Sequence, residues 1–133
     1  MPARPFSRGI GRHAGFTLIE LLVVLAIIAL LSTLATPRYF QSIGASKETV
    51  LIKNLQITRD TIDKFYSDTG RYPQSLEELV EKKYLRSVPF DPITESSATW
   101  ELIAPDDPDQ GGVYELRSGA SGSARDGTVF SAL

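Results

Sequence analysis

The chain contains no cysteine, one histidine and one methionine. Without cysteine, neither a disulfide framework nor thiol chemistry is available. The single histidine, His13, lies near the N-terminus, in a segment that we expect to be removed, so the mature chain would keep no imidazole base or metal ligand. A glycine-rich phosphate loop and a Gly-x-Ser-x-Gly nucleophile motif are also missing. These absences argue against an enzyme.

Charge is nearly balanced, with 14 Lys and Arg against 16 Asp and Glu, for a net charge of −2. Residues 1–15 carry Arg4, Arg8 and Arg12 and no acidic side chain. Their removal would leave a net charge of about −5, and with no basic surface in excess we expect no nucleic-acid binding. The 133 residues suffice for one modest domain beyond a membrane segment.

The most informative stretch follows this basic leader. It reads Gly15-Phe16-Thr17-Leu18-Ile19-Glu20 and continues into the apolar run 21–31. Residues 16–35 are mostly apolar, and about twenty residues at a rise of about 1.5 Å each cross a hydrocarbon core of about 30 Å. Glu20 lies at the edge of this segment. Because an ionised carboxylate there costs about 2.5–3.5 kcal/mol, Glu20 is a candidate functional residue.

These residues resemble the prepilin signature of type IV pilins and type II secretion pseudopilins. In that family a dedicated peptidase cuts after the glycine and methylates the new N-terminal phenylalanine, and the fifth mature residue is a glutamate. The resemblance implies cleavage between Gly15 and Phe16, methylation of Phe16 and a role for Glu20 in assembly. One alternative is an ordinary secretory signal cleaved near residue 35, although a glutamate heading the apolar region is unusual there. Another is that Glu20 only complements the helix dipole.

Pro37 follows the apolar segment, where pilin-like chains commonly place a proline. It removes one helix hydrogen bond and is expected to kink or loosen the helix; the alternative is that it ends the helix. Beyond it the helical pattern resumes, and an apolar stripe indicates a helix face packed on a domain core rather than a two-heptad coiled coil. The stripe consists of Leu51, Leu55, Thr58, Ile62 and Phe65. Gly70 is the expected C-terminal cap.

After the turn at Arg71-Tyr72-Pro73, the sequence indicates a second helix and then strands. Ser75 and Glu78 have the spacing of a capping box, which predicts a short helix to about Lys83. We expect Glu77, Glu78 and Glu81 to face solvent on it. Residues 99–103 and 113–117 are typical of strands, with 128–130 a weak third. The segments 65–73, 75–76, 84–85 and 89–92 closely resemble the corresponding part of major pseudopilins.

The expected fold is therefore α+β and pilin-like. A long N-terminal helix, with a transmembrane half and an amphipathic half, packs on a short helix and a small C-terminal antiparallel sheet. The expected organisation is a cleaved leader at 1–15, a transmembrane and assembly helix at 16–36, and a periplasmic globular domain at 37–133 that includes the second half of the long helix.

Major pseudopilins often order their C-terminal loop around calcium, and this resemblance implies a candidate site. Residues 118–122 align with the first part of that loop, Ser121 stands where the family usually has an aspartate, and Asp126 aligns with the second aspartate. Oxygen ligands from a flexible loop suit calcium, but the loss of one carboxylate weakens the site. A rival acidic cluster at 106–109 is more typical of a solvated turn.

The resemblance implies a structural subunit of a type II secretion system, most specifically its major pseudopilin. The implied partners are copies of itself in a helical filament, minor pseudopilins, the prepilin peptidase, and an inner-membrane assembly platform with its ATPase. The implied location is the bacterial inner membrane, crossed once, with the C-terminal domain in the periplasm. Many adhesive type IV pilins close a C-terminal loop with a disulfide, so the missing cysteines favour the pseudopilin branch. A type IV or minor pilin and a non-polymerising membrane-anchored binding or enzyme domain are the alternatives.

Overall fold

A long helix, α1, connects the two parts of the chain. The computed structural model describes residues 1–5 and 14–133, so Arg8, Arg12 and His13 of the expected leader lie outside the described residues. The chain divides into two units, Met1–Tyr39 and Phe40–Leu133. Helix α1 spans Leu18–Thr69 and contributes to both units. It begins two residues after the predicted start at Phe16 and ends one residue before the predicted cap.

In the first unit, the N-terminal part of α1 exposes apolar side chains throughout. An 18-residue window of the helix has a mean hydropathy of 2.7, and none of that window is buried. Its hydroxyl groups bond to the carbonyl four residues earlier: Ser32 Oγ at 2.7 Å, Thr33 Oγ1 at 2.9 Å and Thr36 Oγ1 at 2.7 Å. Because these donors are satisfied within the helix, they add little cost in a hydrocarbon environment.

In the second unit, the C-terminal part of α1 supplies one side of the core. The predicted stripe is confirmed, because all five of its residues are buried: Leu51, Leu55, Thr58, Ile62 and Phe65. Thr58, the polar member, donates its hydroxyl to the Asn54 carbonyl at 2.7 Å. Burial of each large aliphatic or aromatic side chain stabilises the fold by about 1.5–3 kcal/mol relative to exposure. The C-terminal part of the helix is therefore stabilised by packing on its own domain.

Helix α1 ends at Thr69, and Gly70 caps it as predicted. The Gly70 N–H donates to the Tyr66 carbonyl at 2.8 Å, and the φ angle of Gly70 is +78°. Glycine adopts this left-handed conformation without the steric cost of a Cβ atom. The chain then turns through residues 71–75 into the second helix.

The second helix, α2, covers Leu76–Glu81 and is capped by Ser75. Ser75 Oγ accepts the Glu78 N–H at 3.3 Å, which is half of the predicted capping box. The Glu78 carboxylate accepts the N–H of Gln74, not that of Ser75, at 2.7 Å. The helix ends two residues before the predicted Lys83, because Lys83 adopts a positive φ of 65°.

The expectation that Glu78 faces solvent is wrong. Its side chain is 15% exposed and binds Arg71 through two contacts, Nη2 to Oε1 at 2.5 Å and Nη1 to Oε2 at 3.1 Å. This pairing with Arg71 is the main reason that the pKa of Glu78 lies below its usual value, and burial opposes the shift. The pair joins the turn after α1 to the start of α2.

We predict that the Glu78–Arg71 pair makes the domain sensitive to acid. Because the pKa of Glu78 is lowered in the folded state, its contribution is complete above the unfolded-state pKa and is lost as the pH falls through the folded-state pKa. The Glu78→Gln variant should therefore melt below the wild type at neutral pH, and this difference should vanish in acid. The Tm difference between the two proteins is measured by thermal unfolding, monitored by circular dichroism, at pH values from about 2 to about 7. The exposed Glu81→Gln is the control, and an equal Tm difference at all pH values would contradict the prediction.

Two short strands form the C-terminal sheet. Strand β1, Glu101–Ile103, pairs antiparallel with β2, Glu115–Arg117, with Leu102 opposite Leu116. Both strands are shorter than predicted. The predicted third strand is wrong, since Val129 makes only an isolated bridge with Ser123 and a 3-10 helix covers Phe130–Ala132. The long helix, short helix and antiparallel pair confirm the pilin-like α+β fold class.

Arg59 ties the sheet and the C-terminal residues to α1. Its Nε lies 2.5 Å from Glu115 Oε1, and its Nη2 donates to the carbonyls of Leu116 at 3.1 Å and Leu133 at 2.6 Å. Arg59 and Glu115 are each about one-third exposed. One guanidinium therefore holds α1, β2 and the C-terminal residue together. Arginine suits this role because its several N–H donors have a fixed geometry.

Candidate processing and assembly site

The proposed cleavage bond lies in non-helical backbone directly before α1. Gly15 and Phe16 are both exposed, and the Phe16 side chain is 83% exposed. A Cβ atom built on Gly15 would meet nothing within 4 Å. The fold of this chain therefore leaves space for a side chain at position 15, and a requirement for glycine would come from the processing enzyme. Processing at this bond remains a prediction.

Thr17 is a helix-capping residue beside Glu20 that the sequence analysis missed. Its Oγ1 accepts the Glu20 N–H at 3.2 Å, and its carbonyl accepts the Leu21 N–H at 3.1 Å, so Thr17 caps the first turn of α1. The signal was present in the sequence, because a threonine three residues before a glutamate is the capping-box spacing. The cap fixes the start of the helix at Leu18 and therefore the position of the glutamate within it.

Glu20 is the third residue of α1 and is exposed. At this position its carboxylate lies in the first turn, where the unpaired N–H groups and the helix dipole provide a partial positive charge. That field stabilises a carboxylate by about 0.3–1 kcal/mol, which is less than the cost of about 2.5–3.5 kcal/mol for an ionised carboxylate in hydrocarbon. The helix end alone therefore offsets only part of that cost.

A continuous apolar surface follows Glu20. Its nine large side chains are each 45–65% exposed: Leu21, Leu22, Val23, Val24, Leu25, Ile27, Ile28, Leu30 and Leu31. An exposed apolar surface of this extent marks a region that contacts lipid or other protein chains. It encircles the helix, as expected for a segment that is surrounded on all sides.

Pro37 lies inside α1, which continues to Thr69. The alternative that this proline ends the helix is therefore wrong. Proline has no N–H to donate to the carbonyl four residues earlier, so one backbone hydrogen bond is missing at this point. The expected kink or loosening at Pro37 stays a prediction.

The C-terminal loop supplies a poor set of ligands for calcium. Ser121 is exposed and contributes no carboxylate. Asp126 Oδ1 accepts the Thr128 N–H at 2.9 Å, and this bond lowers the pKa of Asp126. The family resemblance implies two aspartates in this loop. The loop contains one carboxylate, that of Asp126, and one of its oxygens already accepts a hydrogen bond from Thr128. The residues present do not fit that calcium site.

The rival acidic cluster is a turn. Asp107 caps the 3-10 helix Pro108–Gln110, and its Oδ1 accepts the Asp109 N–H at 3.0 Å. Within residues 1–5 and 14–133, no group of three or more His, Cys, Asp or Glu side chains is arranged to hold a metal ion.

An exposed glycine–phenylalanine bond, a capped helix with Glu20 in its first turn and an exposed apolar helix surface are together the features of a prepilin-type protein. Residues 10–36 match the family described as the prokaryotic N-terminal methylation motif. The type II secretion system core protein G of Pseudomonas aeruginosa is 31% identical over 97 residues, which cover 61% of this chain and 68% of that protein. On this identity and coverage, the chain belongs to the type II secretion system core protein G family, the major pseudopilins.

Other relatives agree on the class. The type II secretion system core protein G of Klebsiella pneumoniae is 26% identical over 121 residues, covering 79% of this chain and 84% of that protein. The type IV major pilin protein PilA of Myxococcus xanthus is 36% identical over 73 residues, covering 55% of this chain. The chain spans only 33% of that pilin's length. No solved structure matches the chain.

Proposed function

We propose that this chain is the structural subunit that polymerises into the periplasmic pseudopilus of a type II secretion system and so drives export of folded proteins across the outer membrane. The observation that carries the proposal is the similarity to core protein G over most of that protein's length. The exposed apolar surface of α1 supports it, because this surface needs either lipid or neighbouring subunits around it.

Assembly depends on a charge that cleavage creates. A cut after Gly15 leaves a positive amine at Phe16, four residues before Glu20 and next to the membrane segment. The amine of an incoming subunit neutralises the Glu20 carboxylate of a subunit already in the filament, or that of its own chain. Since both charges are costly in a low-dielectric setting, pairing them favours the assembled state. The pair also sets the axial register, while residues 21–31 bundle into an apolar core.

The partners that we propose are those that the family resemblance implies. They are further copies of this chain, minor pseudopilins, the prepilin peptidase, and an inner-membrane assembly platform with its ATPase. The subunit crosses the inner membrane once through the first part of α1 and places residues 37–133 in the periplasm. The role is structural and not enzymatic, in keeping with relatives that are pilins and core proteins of a secretion system.

A type IV pilin used for adhesion, motility or DNA uptake is the second candidate. The similarity to the Myxococcus pilin favours it, at 36% identity, although it covers only about half of this chain. The core protein G relatives extend further, over 79% of this chain in the Klebsiella protein.

Deletion of the gene in the source bacterium distinguishes these functions. We expect loss of protein export to the medium, with surface motility and DNA uptake unchanged. Wild-type protein should restore export, and a Gly15→Val variant, which blocks cleavage without a clash in the fold, should not. Loss of motility or DNA uptake with normal export would identify a pilin. Restored export by the uncleaved variant, or failure of the overproduced protein to form fibres, would contradict the proposed mechanism.

A further inference from the structure

The C-terminal loop is fastened to α1 by a single carboxylate. Glu48 Oε1 accepts the backbone N–H of Arg125 at 3.1 Å, and Glu48 Oε2 accepts the Arg125 Nε–H at 3.3 Å. The Glu48 side chain is only 16% exposed, whereas that of Arg125 is 65% exposed. Because one oxygen binds the loop backbone itself, this contact restrains the path of the chain as well as pairing two charges.

The loop also satisfies its own backbone groups. The Ala124 N–H donates to the Thr128 carbonyl at 2.7 Å, and the Gly127 N–H donates to the Ala124 carbonyl at 3.0 Å. Thr128 in turn donates its N–H to Asp126, and Phe130 donates its N–H to the Gly122 carbonyl at 3.2 Å. These bonds close the loop as a small hairpin.

The start of the loop is fixed by a buried contact. Ser118 Oγ donates to Asp91 Oδ2 at 2.6 Å and accepts the Ala120 N–H at 3.1 Å. Ser118 and Asp91 are both fully buried. At the other end, Phe130 is 7% exposed and belongs to the hydrophobic core. The loop is therefore held at both ends and, through Glu48, near its middle.

We propose that the Arg125–Glu48 contact fastens the C-terminal loop to α1 in place of the calcium ion that the family resemblance implies, so that loop order in this chain is independent of calcium. The positive charge that holds the loop is the guanidinium of Arg125. Arg125 also places a positive charge next to Asp126 in the sequence, which disfavours a second cation there. This inference concerns the domain alone and does not depend on filament assembly.

The test is thermal unfolding and limited trypsin digestion of the full chain in detergent. Wild-type protein should have the same Tm in excess calcium chloride and in excess EGTA. The Glu48→Ala variant should lower the Tm by about 4 °C, the low end of the effect of one lost contact in a domain of this size. Cleavage after Arg125, followed by mass spectrometry, should accelerate by a factor of about five.

Lys47→Ala is the matched control, because Lys47 precedes Glu48 on α1 and forms a more exposed ion pair with Glu95 at 3.2 Å. It should change neither the Tm nor the cleavage rate appreciably, since exposed pairs contribute little. A wild-type Tm that rises with calcium and falls with EGTA would overturn the proposal. So would a Glu48→Ala variant that behaves like the Lys47→Ala control.

Discussion

Replacement of Glu20 by alanine should abolish filament assembly while leaving membrane insertion intact. Insertion depends on the apolar run 21–31, which the substitution does not touch. In the proposed mechanism, assembly depends on neutralising the Phe16 amine, and without Glu20 this charge would enter a low-dielectric filament unpaired. A charged group at that depth costs about 2.5–3.5 kcal/mol, which weakens each subunit contact by about a hundredfold. Because the same weakening is repeated at every subunit contact, filaments should not form.

The measurement combines membrane fractionation with electron microscopy of sheared fibres from cells that overproduce the protein. The variant should be found in the membrane at wild-type levels, cleaved after Gly15, with no fibres. Ser32→Ala is the control within the same helix, because the Ser32 hydroxyl bonds only its own helix at 2.7 Å, and it should form fibres normally. Normal fibres from Glu20→Ala would refute the role of Glu20 in setting register.

Substitution of one core isoleucine should remove a large fraction of the stability of the second unit. Ile62 is fully buried in the apolar stripe of α1, and Ile62→Ala should destabilise the domain by about 2–5 kcal/mol through lost burial and the cavity that remains. A small domain is stable by only about 5–15 kcal/mol, so this loss is a large fraction of the total. Ile57, on the same helix, is 45% exposed. The same substitution there should cost less than about 1 kcal/mol.

Urea unfolding of both variants and of the wild type, followed by circular dichroism, measures this difference. The two substitutions remove the same atoms from the same helix, so helix propensity cancels and burial alone separates them. Equal destabilisation by Ile57→Ala and Ile62→Ala would contradict the assignment of the packed face of α1.

The parts of the structure that follow from local sequence were predictable. The apolar run sets the first part of α1, and the spacing of Leu51, Leu55, Ile62 and Phe65 sets its buried face, because helical periodicity is a local property. The Gly70 cap follows from the conformational freedom of glycine. The sequence motif around Gly15, Phe16 and Glu20 is likewise contiguous, so the candidate site could be located without coordinates.

The parts that depend on distant contacts were not predictable. Glu78 was expected to face solvent because its spacing places it on the outer face of α2. The turn at Arg71 instead brings a guanidinium against its carboxylate. Glu48 and Arg125 are separated by 77 positions, and no sequence pattern links them. The prediction of a third strand was wrong because Phe130 packs into the core and begins a 3-10 helix instead of extending the antiparallel sheet. Each of these outcomes is decided by tertiary packing.

The proposed mechanism requires that cleavage exposes an amine at Phe16, which then pairs with Glu20. Mass spectrometry of the N-terminal peptide of the protein isolated from cells shows whether this amine exists. We predict a chain that begins at Phe16 and carries one methyl group on its terminal nitrogen. A chain that begins upstream of residue 16, or one trimmed near residue 35, would lack the amine that the mechanism requires and would contradict the account.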